Sequence, residues 1–279
     1  MSEYIIEAQN IVYQYPDGTK ALKGITMKIE KGKKIAILGS NGAGKSTLFL
    51  HLNGILKPSK GKIFFKEKEV KYNHSALMEL RKNVGIVFQD PETQLFSASV
   101  YGEVSFGAIN LKLSENVVRD RVDKALLDTG VYHLKDKATH FLSYGQKKRV
   151  SIADILVMGP EVVIFDEPTA SLDPKHTLRI LDLFDDINKQ GTTIILSTHD
   201  VDAAYGWADY FFIMKDGVVV KEGLPEEVFQ DDELLDSTEL VKPYVLEIFN
   251  ELQKAGYIPD DSVLPKGKEE LLRMIRQNS

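Results

Sequence analysis

An α/β fold on a mostly parallel sheet is what this sequence predicts, and three observations predict it. Short β-branched runs (IAILG, VGIVF, VVIFD and TIILST) lack the alternation of a half-exposed strand and suit strands covered on both faces. Helical patterns such as Leu48/Leu52/Ile55 and Ile180/Leu183/Phe184/Ile187 separate them. Ahead of this alternation stand YIIEA and ITMKIE, with the turn signal Asp17-Gly18 between them, which predict an N-terminal antiparallel β subdomain.

The remaining elements follow in chain order. Residues 73–158 hold several helical segments, among them SALMELRK, VYGEVSFGAINL and SENVVRDRVDKALLDTG, and predict a mostly helical subdomain. FFIMKDGVVVKEG is a hairpin turned at Asp216-Gly217. Beyond it the chain is acidic and helical. ELLDSTELVKPYVLEIFNELQKAG and KEELLRMIRQ read as two amphipathic helices joined by a Pro-containing loop. The expected division is a main domain over 1–225 and a small C-terminal helical extension over 226–279.

Composition narrows the function. With 43% apolar and 27% charged residues the 279-residue chain is an ordinary globular one. A net charge of −6 argues against a general nucleic-acid binder. The absence of cysteine excludes disulfides, iron–sulfur clusters and thiol catalysis. MSEYIIEAQN is not a secretory signal, and the apolar runs fall far short of the ~20 residues of a membrane helix.

GSNGAGKST fits Gly-x4-Gly-Lys-Ser/Thr, with the strand KIAIL before it and the helix KSTLFLHLNGI after it. Such a loop, here Gly39, Ser40, Asn41, Gly42, Ala43, Gly44, Lys45, Ser46 and Thr47, turns backbone N–H groups and a helix N-terminus toward a phosphate. Lys45 reaches the β- and γ-phosphates, and the Ser46 hydroxyl ligates Mg²⁺. In EVVIFDEPTASLDP a four-residue apolar strand delivers Asp166 to the sheet edge, where it holds a water on Mg²⁺. Glu167 is placed to polarise the attacking water, a kind of help worth ~10²–10⁴-fold in rate. These features give a nucleoside triphosphatase core, with kinase, GTPase and ATPase all open. NKQG, Asn188 to Gly191, lacks the aspartate of the guanine-reading Asn-Lys-x-Asp motif.

FLSYGQKKRV reads as an unusual helix start. Ser143 and Gln146 form a capping-box pattern, yet Tyr144 and Gly145 fill the first turn, where glycine weakens a helix by roughly 1 kcal/mol. Lys147-Lys148-Arg149 reads as a solvated helix face, with no nucleic-acid role.

Taken in order, the phosphate loop, VGIVFQD, LSYGQKKR, VVIFDEP, SLD and STHD resemble the ATP-binding subunits of ABC transporters over roughly residues 3–225. The resemblance implies that Tyr15 stacks on adenine and that Gln89 is the lid glutamine touching Mg²⁺ and the transport partner. It further implies that Glu167 is the catalytic base, that Asp173 communicates across a dimer, and that His199 is the switch histidine on the γ-phosphate. Ser143, Gly145 and Gln146 would cover ATP held by a second chain, a homodimer or a related ATPase. In that pattern, Leu-Ser-Gly-Gly-Gln, Tyr144 replaces the first glycine; Gly145 is then the position of close approach and Tyr144 points away. The segment Phe88 to Ser114 resembles energy-coupling-factor ATPases, and its QLF and FGAINL look most like the cobalt/nickel type. This implies a MgATP-hydrolysing importer subunit, peripheral on the cytoplasmic face of the cell membrane, with membrane-embedded coupling and substrate-binding subunits as partners. Leu95 and Phe96 would anchor a helix of the coupling subunit, and the C-terminal extension would help hold two ATPase chains together. The alternatives are another ABC transporter, for a vitamin or an amino acid, and a soluble ABC ATPase without a transport role.

Overall fold

The chain begins with a hairpin of β1 (Tyr4–Gln14) and β2 (Lys20–Glu30). The Asp17 carboxylate accepts from Thr19 N at 2.9 Å, and Gly18 takes φ 93°, a left-handed value that glycine adopts without strain. β3 (Lys34–Leu38) leaves for a second sheet and runs through the phosphate-loop segment into α1 (Lys45–Leu52). β4 (Lys60–Phe65) and β5 (Lys68–Glu69) then return to the first sheet, which is antiparallel in the order β2-β1-β4-β5. The computed structural model describes residues 3–170 and 172–277; Ser171 of the SLD motif lies outside the described residues.

The second sheet receives each apolar run that the sequence marked. After α2 (His74–Asn83), β6 (Val84–Val87) is its edge strand. The chain continues through α3 (Val100–Asn110), α4 (Glu115–Asp128) and α5 (Tyr144–Leu156) to β7 (Val162–Phe165). α6 (Pro174–Lys189), β8 (Thr193–Ser197), α7 (Val201–Trp207) and the hairpin β9 (Tyr210–Lys215) and β10 (Val218–Gly223) complete it. The order is β10-β9-β3-β8-β7-β6, parallel except for β10. Every residue of β6, β7 and β8 is buried, which explains their uninterrupted apolar sequences. One core lies between the two sheets around Phe49; another lies on the far face, where Phe165 stacks on Phe184 at 3.9 Å. Each such phenylalanine, fully buried, contributes roughly 1.5–3 kcal/mol.

The helical stretch expected over 73–158 divides. Leu80 of α2 and the strand β6 belong to the cores of the main body, whereas α3, α4 and α5 share a separate apolar cluster around Val104, Val122 and Val150. After the short α8 (Pro225–Val228), the expected helix over ELLDSTELVKPYVLEIFNELQKAG is also two, α9 (Asp232–Ser237) and α10 (Tyr244–Lys254), and Pro243 caps the start of the second. Proline has no N–H for a helix interior, so it serves at the start of the second helix instead. α11 (Lys268–Gln277) packs Leu271 against Phe249 and Ile258, while Leu235 and Leu246 join the main core.

The helical cluster carries an acidic pair. Glu103 is fully buried; its Oε2 accepts from Phe96 N at 3.0 Å and also from Ser97 N, and its Oε1 has no hydrogen-bond partner among the described residues. Asp154 accepts from Gln94 Nε2 at 3.2 Å. Burial pushes the Asp154 carboxyl up to about 7, opposed by that hydrogen bond and reinforced by the Glu103 charge. Between the ordinary aspartate range and 7, the folded chain therefore holds a proton that the unfolded chain has released. Stability falls as pH rises through this window. Asp154→Asn is expected to raise the melting temperature above the parent's at pH 8 and to lose that advantage toward pH 5, as read by thermal melts across pH. A constant difference at every pH would contradict it.

Candidate functional site

The phosphate-loop segment closes around a cavity of about 650 Å³, bounded also by Tyr15 and Thr19–Ala21, Gln89, Asp166, Glu167 and His199. The loop's shape needs its glycines. A Cβ on Gly39, at φ 149°, would sit 2.1 Å from Met214 O, and one on Gly44, at φ 102°, would sit 2.7 Å from Ala21 O. Lys45 is buried, and its ammonium donates to Gly39 O at 2.6 Å and Ser40 O at 3.2 Å. Burial lowers its pKa, while the Glu167 and Asp166 charges pull it up. A buried cation whose only hydrogen-bond partners among the described residues are neutral carbonyls is suited to an anion. Ser46 is exposed on the wall, and Ala43 and Thr47 are buried beneath it.

Three parallel strands bring the remaining chemistry to one edge. Phe165 is in register with Val87 on one side and Leu196 on the other, so Gln89, Asp166-Glu167 and His199 all emerge beyond the same sheet end. Glu167 has φ 46°, a left-handed value uncommon for a side-chain-bearing residue and concentrated at functional sites. Ser197, at the end of β8, donates its hydroxyl to Asp166 Oδ1 at 2.7 Å and accepts from Glu167 N at 2.9 Å. His199 Nδ1 lies 3.0 Å from Glu167 Oε2, with the imidazole 72% exposed. An ionised carboxylate only accepts, so Nδ1 carries the proton in this contact.

Tyr15 borders the cavity, its hydroxyl 3.1 Å from Thr47 Oγ1. Tyr13, two residues earlier, packs edge-on against Tyr15 and His51 and partly joins the core. Ser143, Gly145, Gln146 and Asp173 do not border the cavity. Ser143 caps α5 with the expected capping box: Ser143 N donates to Gln146 Oε1 at 3.0 Å, and Gln146 N to Ser143 Oγ at 3.4 Å. Asp173 caps α6, accepting from His176 N at 3.0 Å, and lies 2.6 Å from His176 Nδ1.

Two expectations are corrected. Lys147-Lys148-Arg149 is not a solvated face. Lys148 is 1% exposed and donates to Phe88 O at 2.8 Å and Gln89 O at 2.9 Å. Burial brings its pKa down to about 8. Lys147 pairs with Glu92, and Arg149 donates to Gly145 O and Gly130 O. Leu95 and Phe96 are not a joint exposed anchor either. Leu95 packs on the helical cluster, while Phe96 is 67% exposed and meets Phe106 edge-on at 5.0 Å. The sequence reading also missed Ser197 and Thr19–Ala21; a lone serine ending the apolar run TIILS was the available signal for the first.

The family model for ABC transporters matches residues 22–170. The energy-coupling factor transporter ATP-binding protein EcfA3 of Clostridium perfringens is 51% identical over 272 residues, 96% of this chain and 95% of that protein. The chain belongs to the ATP-binding proteins of energy-coupling factor ABC transporters. The EcfA protein of Methanocaldococcus jannaschii is 49% identical over 92% of each chain. Among solved structures, cbiO1 of Clostridium perfringens, described as part of the ABC transporter complex cbiONQ, aligns with TM-score 0.77 and 51% identity over 90% of this chain and 100% of that one. A dimeric ATP-binding cassette bound to ADP and Pi aligns with TM-score 0.72 and 26% identity over 79% of this chain and 98% of that one. This ABC ATPase therefore hydrolyses ATP to power transport, as a subunit working with membrane components. No helix among its described residues is long and apolar enough to cross a membrane.

Because Ser197 serves both Asp166 and Glu167, Ser197→Ala leaves a buried N–H unpaired, at a cost of about 1–3 kcal/mol. The expected result is a fall in ATP turnover larger than any change in nucleotide affinity, with partial rescue by Ser197→Thr. Turnover equal to the parent's would remove Ser197 from the site.

Proposed function

We propose that this ATPase drives uptake of cobalt or nickel ions as one of two chains paired head to tail, a homodimer, on the cytoplasmic face of the cell membrane. The observation that carries the pairing is the division of the site. The cavity gathers the phosphate loop, Gln89, Asp166, Glu167 and His199, while Ser143, Gly145 and Gln146 lie off it at the start of α5. Gly145 adds support. A Cβ there would meet only Leu172 Cδ2, at 3.9 Å, so its own fold leaves room for a side chain and the lack of one suits a close approach from outside. A helix N-terminus offers free N–H groups and a positive dipole end to a phosphate.

Within one site, Lys45 exchanges the carbonyls of Gly39 and Ser40 for the β- and γ-phosphates. Glu167 takes the proton of the attacking water as general base, and Tyr15 stands at the adenine end. His199 must change to serve the γ-phosphate. With Nδ1 donating to Glu167, a neutral ring has only a lone pair left at Nε2, so donation to a phosphate oxygen needs an imidazolium or a ring released from Glu167. The donors suit Mg²⁺. The Ser46 hydroxyl, the Gln89 side chain and the Asp166 carboxylate border the cavity and are oxygen donors of the kind it takes; they would hold it, Asp166 through a water, together with substrate phosphates. Bound there, Mg²⁺ would neutralise phosphate charge.

Cobalt or nickel as cargo is supported by the QLF and FGAINL segments and by the likeness to a component of the cbiONQ complex. Phe96 and Phe106 form the apolar surface suited to a coupling-subunit helix, and the C-terminal helices supply a further contact between the two chains.

Glu167→Gln is expected to bind ATP, to turn it over at least a hundredfold more slowly than the parent, and to accumulate as an ATP-dependent dimer on size-exclusion chromatography. Turnover near the parent rate would reject Glu167 as base, and a monomer in saturating ATP would reject the pairing. Phe96→Ala is expected to weaken co-purification with the membrane subunits and to lower ATP-driven cobalt or nickel uptake while ATP binding persists. Unchanged uptake would place the docking surface elsewhere.

A further inference from the structure

The first turn of α5 grips the strand end that carries Gln89. The Tyr144 hydroxyl donates to Gln89 O at 3.1 Å, and one turn along the helix the buried Lys148 ammonium donates to the same oxygen at 2.9 Å and to Phe88 O at 2.8 Å. Residues four apart share one helix face, so both side chains address one carbonyl from one side. The Gln89 side chain is free to border the cavity, while its backbone is fixed from behind. Burial raises the Tyr144 pKa, with Asp90 adding to it, so the phenol remains a donor through neutral pH. A glycine at this position has no group to make the bond. Tyr144 is also next to Ser143 and Gly145, the groups that the head-to-tail reading places on the partner chain's ATP.

We infer that Tyr144 is a positioning residue that ties Gln89 to the N-terminus of α5, so that ATP of the partner chain seated on Ser143 and Gly145 sets the placement of Gln89 in this chain's own site. The route is short and continuous: partner phosphate, first turn of α5, Tyr144 hydroxyl, Gln89 carbonyl, Gln89 amide. It rests on the head-to-tail reading and makes the two cavities of a pair report on each other. Lys148 alone would still hold the segment to α5. Its contact lies one turn deeper, so the link at the phosphate-facing turn is the one that Tyr144 adds.

The test is a double-mutant cycle on the full-length chain, with ATP turnover measured against MgATP for the parent, Tyr144→Phe, Gln89→Ala and the double variant. Removing the hydroxyl while keeping the ring is expected to lower kcat about three- to tenfold, the effect of one hydrogen bond, with KM little changed and the Hill coefficient moved toward 1. In the Gln89→Ala background the same change is expected to have no further effect. Additive losses, or a Tyr144→Phe variant with the parental rate and Hill coefficient, would overturn the inference. Chromatography of Glu167→Gln with ATP separates this from the pairing itself. A dimer together with an additive cycle rejects the role of Tyr144 alone; absence of a dimer rejects the transmission between chains, whatever the cycle gives.

Discussion

One serine hydroxyl sets the spacing on which this site depends. Ser197 donates to Asp166 and accepts from the backbone of Glu167, joining the ends of β7 and β8 just where both strands leave the sheet. Two adjacent buried carboxylates at a strand end, the second at positive φ, would otherwise be free to turn toward solvent. Because the hydroxyl satisfies a carboxylate oxygen and a buried N–H together, losing it unbalances both residues. The parallel sheet makes this economy of groups available. Registered strands end level, so side chains far apart in sequence meet beyond one edge.

What the sequence made legible was local. The phosphate loop is contiguous, so its glycine pattern can be read directly, even though the oxygens that close on Gly39 and Gly44, Met214 O and Ala21 O, come from elsewhere in the chain. Asp166 and Glu167 follow directly from a strand that has no reason to be so apolar unless it is central. Illegible features depended on partners distant in sequence. Lys148 reads as a surface charge until the carbonyls of Phe88 and Gln89 are brought against it. Leu95 and Phe96 are chemically alike, and only the packing of α3 to α5 decides that one is covered and the other bare. Pro243 was visible, yet a long amphipathic pattern on either side of it concealed that it starts a new helix.

In the proposed reading a nucleotide takes over contacts that the cavity already makes. Lys45 rests on loop carbonyls, His199 rests on Glu167, and Tyr15 rests on Thr47. Each of these keeps a polar group paired, so binding there would exchange hydrogen bonds rather than create them from nothing. The gain would then come from charge: a polyphosphate satisfies a lysine more strongly than two neutral carbonyls do. The same logic makes the His199 contact informative. A neutral histidine that donates to Glu167 cannot at the same time donate from its remaining nitrogen, so unless the ring is protonated, release of Glu167 and engagement of a phosphate would be linked events.

The segment between β6 and α3 is stitched to α5 along its length. Phe88 and Gln89 are held by Lys148 and Tyr144, Glu92 by Lys147, and Gln94 reaches Ser151 O and Asp154. All these partners lie on α5. At the far end, buried Glu103 accepts from the backbone N–H groups of Phe96 and Ser97, fixing the bare aromatic ring to α3, which itself packs on α5. The segment therefore has few independent degrees of freedom and must follow α5 when that helix moves. A phosphate drawing the N-terminus of α5 would shift the cavity glutamine at one end of the segment and the exposed phenylalanine at the other. In that reading nucleotide state and membrane contact would need no separate messenger, because both would be read from one stitched element.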